Sequence, residues 1–131
     1  MTRVIAHGID LVDVARIEKS LTDHGQRFID RCFTQQEAEY AQSAKAPRDI
    51  ERFAARFAAK EAVLKSLGTG WASGIAWTDV EVRRLPSGVP TIHVSGKAAE
   101  IAQGLGITEF HLSLSHTPTQ AMASVIACGP A

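Results

Sequence analysis

A carboxylate stands on an otherwise apolar helix in the stretch RFAAKEAVLKSLGTG, residues 56–70. At about 100° per residue, Glu61 falls beside a stripe of large apolar side chains that includes Phe57 and Leu64. An unpaired carboxylate there is costly, so Glu61 requires a cation or a proton. One candidate partner is Lys65, at the i,i+4 spacing of a helical ion pair worth about 0.2–0.5 kcal/mol. The other is a divalent metal ion shared with a second carboxylate.

Asp10 is a candidate for that second carboxylate. It ends an apolar predicted strand in the segment GIDLVDVARIE. Its ordinary role would be to start the following helix, but Asp13 is better placed as the N-cap. Asp10 therefore remains available as a metal ligand.

The same helix carries a ladder of positive charges at i,i+4 spacing, Arg52, Arg56 and Lys60. Like charges at this spacing repel by a few tenths of a kcal/mol per step. Their alkyl stems could carry the charges to solvent, or a bound polyanion could relieve the repulsion. Lys60, Lys65 and the turn Gly68–Gly70 would suit phosphate groups, although a helix that ends in glycine needs no ligand.

His116 lies in the segment HLSLSHTPTQ, near the turn of a predicted hairpin. It is either simply exposed or a hydrogen-bond donor to a phosphate or ribose, together with Ser115 and Thr117. A serine hydrolase is disfavoured, because the chain has no GxSxG motif and no evident acid to orient His116. Walker, Rossmann and His/Cys metal motifs are also absent.

The elements that must position these residues follow from the hydrophobic periodicity. The pattern predicts a strand at 4–9, a helix from Val14, and a short helix begun by a Thr34–Glu37 capping box. A long helix follows from about residue 49 to 67. The second half is rich in strands: a hairpin around PSGVP, a helix from Ser95 to about Gly104, and a closing hairpin. We expect an α+β fold with a largely antiparallel sheet packed with helices, as a single compact domain over 1–131.

Composition narrows the class of protein. The 131 residues include 45% hydrophobic and 21% charged side chains, and the charges cancel to a formal zero. A global electrostatic attraction to nucleic acid is therefore not expected. Two cysteines are too few for a disulfide framework, which favours a reducing, cytoplasmic location. His7 and Asp10 interrupt the apolar N-terminal segment, so neither a signal peptide nor a membrane helix is expected.

Two segments together resemble a known family. GIDLVDVARIE, followed about fifty residues later by RFAAKEAVLKSLGTG, resembles the holo-[acyl-carrier-protein] synthases, the small bacterial 4′-phosphopantetheinyl transferases. HLSLSHT and AMASVIA are similar to the family's C-terminal hairpin, so the resemblance covers essentially the whole chain. It implies the transfer of 4′-phosphopantetheine from coenzyme A to a serine of apo acyl carrier protein, with 3′,5′-ADP as the other product. It also implies a magnesium ion and a role in fatty acid biosynthesis.

The resemblance assigns roles to individual residues. It implies that Asp10 and Glu61 bind Mg²⁺ and that Glu61, or a water it orients, accepts the serine proton. It places Lys65 in the catalytic group with these two acids. The residues that the resemblance assigns to coenzyme A are Arg56, Lys60, Lys65, Gly68, Thr69, Gly70, His116 and Thr117. Because the nucleophile belongs to the carrier, no nucleophile motif is needed in this chain.

Partners follow from the same resemblance. Carrier proteins are acidic, and Arg16 and Arg27 match basic positions that meet the carrier, with Phe28 as an apolar contact. Family members are commonly homotrimers with an active site at each subunit interface. Two other classes stay open: an interaction domain whose charges form only ion pairs, and a metal-dependent hydrolase of nucleotides.

Overall fold

The chain alternates helices and antiparallel strands. The structure is a computed structural model and describes residues 1–71 and 73–131. Its elements, in chain order, are β1 (Thr2–Asp13), α1 (Val14–His24), α2 (Gln26–Cys32), α3 (Gln35–Gln42), α4 (Arg48–Leu67), a short 3₁₀ turn (Trp77–Asp79), β2 (Val80–Arg84), β3 (Pro90–Val94), α5 (Gly96–Gly104), β4 (Glu109–His116) and β5 (Gln120–Pro130). The predicted α+β class with antiparallel strands is confirmed.

Three strands form the central sheet in the order β1–β5–β4, and β2 and β3 form a separate hairpin. Strand β5 alternates small buried residues with exposed ones, and Ala121, Ala123, Val125 and Ala127 face the core. Because β5 lies in the middle, β1 and β4 form opposite edges of the sheet. This arrangement decides where the functional side chains lie.

Helix α4 packs across the inner face of the sheet, against β1 and β5. Its alanines are buried, and small side chains let the helix approach the strands closely. The closest approach is at Gly8, where an added Cβ would lie 1.9 Å from the carbonyl oxygen of Ala62. The helix ends at Gly68, which has the left-handed conformation (φ 76°) expected for a C-cap glycine.

Most predicted boundaries agree with the structure. The Thr34–Glu37 capping box forms, and both of its hydrogen bonds are present. Asp13 occupies the N-cap position of α1 but makes no side-chain capping bond. Strand β1 is longer than predicted, and helix α2 was not predicted because its seven residues are too few to show a clear period.

An aromatic cluster fills the space between α4 and the segment before β2. The Trp71 and Trp77 rings stack with centroids 3.7 Å apart, and Trp77 stacks on Phe57 at 4.7 Å. Both tryptophans pack against the core.

Candidate active site

Asp10, Glu61 and Lys65 come together where β1 crosses the C-terminal half of α4. The Lys65 ammonium lies 3.0 Å from Oδ1 of Asp10 and donates to the carbonyl oxygen of Ile9 at 2.9 Å. The Asp10 side chain is only 14% exposed, whereas that of Lys65 is 56% exposed. The pair of segments that the sequence analysis selected, fifty residues apart, therefore meets in one place.

Glu61 lies close enough to Asp10 for the two negative charges to interact. Burial raises the pKa of the Glu61 carboxyl, the neighbouring Trp71 indole lowers it, and the charge of Asp10 raises it further. Arg16 and Lys65 lower the same pKa more weakly. A half-buried carboxylate whose ionisation is disfavoured beside a second carboxylate is typical of a site for a divalent cation.

The structure corrects the simplest expectation for Lys65. Lys65 forms its ion pair with Asp10 and not with Glu61, the residue four positions before it. Within residues 1–71 and 73–131, Glu61 forms no ion pair within 4.0 Å. Glu61 therefore lies beside the Asp10 carboxylate with no cationic side chain paired to it within the described residues.

The structure also corrects the assignment of Lys60 to coenzyme A phosphates. Lys60 is completely buried, and its ammonium lies 2.8 Å from Oε1 of Glu37. It also donates to the carbonyl oxygens of Trp77 and Val80. All three N–H donors are used inside the protein, so Lys60 has a structural role.

The sequence did not suggest Glu37 as the partner of Lys60. Besides accepting from Lys60 and from its own cap residue Thr34, its second oxygen accepts from the backbone N–H of Val82 at 2.8 Å. The capping box was visible in the sequence, but the contacts to α4 and β2 depend on tertiary packing. No local sequence pattern predicts these two contacts.

A basic groove of about 830 Å³ lies between the N-terminal half of α4, β4 and the β2–β3 turn. Its polar lining includes Tyr40, Arg48, Glu51, Arg52, Arg56, Arg84, Ser113, His116 and Thr117. The guanidinium carbons of Arg52, Arg56 and Arg84 lie 4.1, 4.1 and 4.4 Å from the centre of the Tyr40 ring. So many cations around one aromatic ring indicate a site for an anion.

Arg56 carries the clearest sign of a missing partner. It is 5% exposed, and its Nε has no hydrogen-bond partner among the described residues. Burial lowers the pKa of its guanidinium, although not enough for an arginine to lose its charge at ordinary pH. A buried, incompletely paired cation at the wall of a groove fits a phosphate ligand.

His116, at the end of β4, is held by an acid that the sequence did not suggest. Its Nδ1 lies 3.0 Å from Oε1 of Glu51 on α4. This contact holds the ring through Nδ1, and Nε2 makes no hydrogen bond within the part of the chain that the structure describes. Thr117 follows directly, but its hydroxyl oxygen already accepts from the backbone N–H groups of Thr119 and Gln120.

The turn Gly68–Thr69–Gly70 lies at the same end of α4 as Lys65. Both glycines have positive φ angles (76° and 57°), which allow the chain to turn sharply after the helix. The turn therefore lies near Asp10 and Glu61, here called the acidic pair, and not near the basic groove.

The predicted carrier-binding residues lie on α1 and α2. Arg16 and Arg27 are exposed, and Arg16 sits 5.3 Å from the centre of the Phe57 ring, on the side of Glu61. Phe28 is half-buried and packs edge-to-face on Phe33 at 5.7 Å. Much of the Phe28 ring is therefore used in the aromatic cluster.

Comparison with known proteins settles the family. The sequence model of the 4′-phosphopantetheinyl transferase superfamily matches residues 6–119. The chain belongs to this family. A holo-[acyl-carrier-protein] synthase of Koribacter versatilis is 53% identical over 123 residues, 94% of this chain and 97% of that protein. The corresponding enzyme of Syntrophus aciditrophicus is 49% identical over 119 residues, 91% of each.

Solved structures of the family share the fold. The Plasmodium yoelii acyl carrier protein synthase with ADP bound superposes with a TM-score of 0.86 at 30% identity and covers 100% of this chain and 99% of its own. The Bacillus anthracis holo-(acyl-carrier-protein) synthase, in complex with coenzyme A (3′,5′-ADP), gives 0.79 at 34% identity, with 97% and 98% covered. Among the residues that the structure describes, no helix is both long and apolar enough to span a bilayer.

Proposed function

We propose that this chain, as one transferase domain over 1–131, moves the 4′-phosphopantetheine group of coenzyme A onto a serine of an apo acyl carrier protein. The observation that carries the proposal is the meeting of Asp10, Glu61 and Lys65 on the sheet of a 4′-phosphopantetheinyl transferase fold. The serine oxygen bonds to the phosphorus next to pantetheine, the P–O bond to the bridging oxygen breaks, and 3′,5′-ADP leaves with that oxygen.

Mg²⁺ fits the donors at this place. Asp10 and Glu61 offer only hard carboxylate oxygens, the ligands that Mg²⁺ takes in ones or twos together with substrate phosphates. When bound, the ion would neutralise the diphosphate and make its phosphorus more electrophilic. A cation would also offset the burial of Glu61, whose carboxyl otherwise has a raised pKa.

The residues of the chain supply the other parts of the reaction. Lys65, half-exposed and already aligned by Asp10 and the Ile9 carbonyl, is placed to offset the charge that develops on the departing bridging oxygen. Glu61, or a water that it orients, accepts the serine proton. The turn Gly68–Thr69–Gly70 borders the diphosphate.

The basic groove would bind the nucleotide end of coenzyme A. Arg56 provides a buried cation, and the Glu51–His116 contact presents the free imidazole nitrogen to a phosphate or ribose. Thr117 lies beside it in the groove.

The two half-sites lie on opposite edges of the sheet. The acidic pair belongs to the β1 edge and the groove to the β4 edge, and the groove lining contains none of Asp10, Glu61 or Lys65. A cyclic homotrimer, in which the β1 edge of one subunit faces the β4 edge of the next, would complete each site. Exposed apolar side chains on β1 and β5 provide a surface for such packing: Val4, Ile9, Leu11, Met122 and Ile126.

Carrier binding is proposed on the exposed basic side chains of α1 and α2. Arg16 lies next to Glu61, so a carrier held there would bring its serine to the acidic pair. We place the reaction in the cytoplasm and in fatty acid biosynthesis, in agreement with two free, buried cysteines.

The test is the transfer reaction itself. Coenzyme A, an apo carrier and Mg²⁺ should give holo carrier and 3′,5′-ADP, and a chelator should abolish the products. Coenzyme A without a carrier should stay intact, which separates transfer from hydrolysis. Full transfer by both Asp10→Asn and Glu61→Gln would overturn the assignment.

Subunit sharing has its own test. Glu61→Gln and the groove variant Arg56→Gln should each be inactive alone. If sites form between subunits, mixed trimers should regain about a quarter of the wild-type sites, because each site draws one edge from each of two chains. No recovery after mixing and reassembly would place the whole site in one chain.

A further inference from the structure

Three side chains of different metal-binding chemistry meet at the far end of the central sheet. Glu109 begins β4, His111 lies two residues later on the same face, and Cys128 of β5 pairs directly with Glu109. One carboxylate oxygen, one imidazole nitrogen and the thiol sulfur all lie within 4.8 Å of one another. The His111 Nε2 and the Glu109 Oε1 are 3.5 Å apart.

The geometry points to a binding site for a thiophilic divalent ion of the Zn²⁺ class, formed by Glu109, His111 and Cys128. Zn²⁺ binds Cys sulfur at about 2.3 Å and His nitrogen or carboxylate oxygen at about 2.0–2.2 Å, which puts its ligand atoms roughly 3.5 Å apart. The three ligand atoms therefore need to approach one another only slightly to hold the ion. In the single subunit the side chains of Glu109 and His111 are 46% and 60% exposed, so they can turn without disturbing the core. The cluster borders Val4 and Ile126 of the proposed subunit contact.

The cysteine decides which ion would bind. Thiolate and imidazole favour Zn²⁺ or Co²⁺ over Mg²⁺, which prefers oxygen ligands. On binding, the thiol proton of Cys128 is released to solvent and a metal–sulfur bond forms. Three protein ligands leave the fourth tetrahedral position open to water.

This site is separate from the acidic pair. Asp10 pairs with Ala123 of β5, five residues before Cys128, so the two places are about 17 Å apart at roughly 3.4 Å per residue. They also differ in donor class, with only oxygens at Asp10 and Glu61. The site therefore does not depend on the proposed transferase reaction.

Cobalt substitution tests the proposal on the full chain. Titration with Co²⁺ should produce a near-ultraviolet thiolate-to-cobalt charge-transfer band that saturates at one equivalent per chain and that Zn²⁺ abolishes. Cys128→Ser should lose the band. Cys32→Ser is the matched control and should keep it, because Cys32 lies on α2, away from Glu109 and His111. Absence of the band, or its loss with Cys32 and not with Cys128, would refute the site.

The two exposed ligands allow a test that does not risk the fold. Glu109→Gln and His111→Ala should each weaken Zn²⁺ binding, measured by competition with a chromophoric chelator, by about tenfold or more. His93→Ala, at the exposed position of β3, should leave it unchanged. Zn²⁺ affinity equal to wild type in both ligand variants would also refute the site.

Discussion

The ammonium of Lys65 lies 3.0 Å from Oδ1 of Asp10 and joins the C-terminal part of α4 to β1. An i,i+4 rule read from the sequence alone pairs Lys65 with Glu61, whereas the fold gives it to a carboxylate 55 positions away. Glu61 is thereby left available for another cation.

Replacement of Lys65 by methionine should lower kcat for transfer by about 100-fold, the usual effect of losing one donor to a developing oxyanion. Steady-state kinetics with saturating coenzyme A would measure it. Lys19→Met is the matched control, because Lys19 forms an exposed i,i+4 ion pair with Asp23 at 2.7 Å. Retention of more than half the wild-type kcat by Lys65→Met would exclude a role in the chemical step.

Glu61→Gln should stabilise the metal-free protein at neutral pH. Burial raises the folded-state pKa of Glu61 above its ordinary value of 4.5. As pH rises from 4.5 through that raised pKa, the folded protein retains a proton that the unfolded chain has lost, and the free energy of unfolding falls. Urea unfolding between pH 4 and 8 should show this decline in the wild type and less of it in Glu61→Gln.

The exposed variant Glu100→Gln serves as the control for that experiment. Addition of Mg²⁺ should raise the Tm of the wild type and of Glu100→Gln, but hardly that of Glu61→Gln. An equal rise in all three proteins would place the ion elsewhere.

Glu51→Gln should raise KM for coenzyme A by about tenfold and leave kcat nearly unchanged. The Glu51–His116 contact is a hydrogen bond to a charged group, a class worth about 1.5–3 kcal/mol, and it orients the ring. Glu39→Gln, exposed on α3, should behave as wild type. A loss confined to kcat would contradict a positioning role at the nucleotide end.

Lys60→Met should destabilise the fold by about 3–5 kcal/mol, because the Glu37 carboxylate would be left charged and buried. Chemical denaturation measures this, with Lys19→Met near zero. The folded fraction should keep the wild-type KM for coenzyme A. A raised KM for coenzyme A would instead indicate that Lys60 contacts the phosphates.

Arg27→Glu should raise KM for the acidic carrier and not for coenzyme A, and added salt should weaken carrier binding to the wild type more than to the variant. Arg16→Glu should do the same but also lower kcat, because the Arg16 charge acts on Glu61. Arg3→Glu, near the start of β1, is the control. Salt-independent binding would argue against this surface.

Local rules accounted for much of the fold. The Thr34–Glu37 box, the glycine end of α4 and the alternation in β5 each gave a correct element, because capping, turn and burial patterns act over a few residues. Asp10 and Glu61 were selected for a related reason: each carries a charge that its local surroundings leave unexplained.

Long-range partners were not predictable in the same way. The Lys60–Glu37 pair joins residues on different helices, and the Glu51–His116 contact spans 65 positions. A basic ladder on a helix looks alike whether its members face solvent, a ligand or a buried acid. Only packing separates Lys60, which is enclosed, from Arg56, which lines a groove.

Gly8 bears on how the site keeps its dimensions. Strand β1 and helix α4 touch main chain to main chain at Gly8 and Ala62, two residues before Asp10 and one after Glu61. This backbone contact, and not the size of the interior side chains, therefore sets the distance between Asp10 and Glu61. Substitutions of other buried side chains should leave this distance unchanged. A methyl group at Gly8, by contrast, would push β1 away from α4 and separate the two carboxylates.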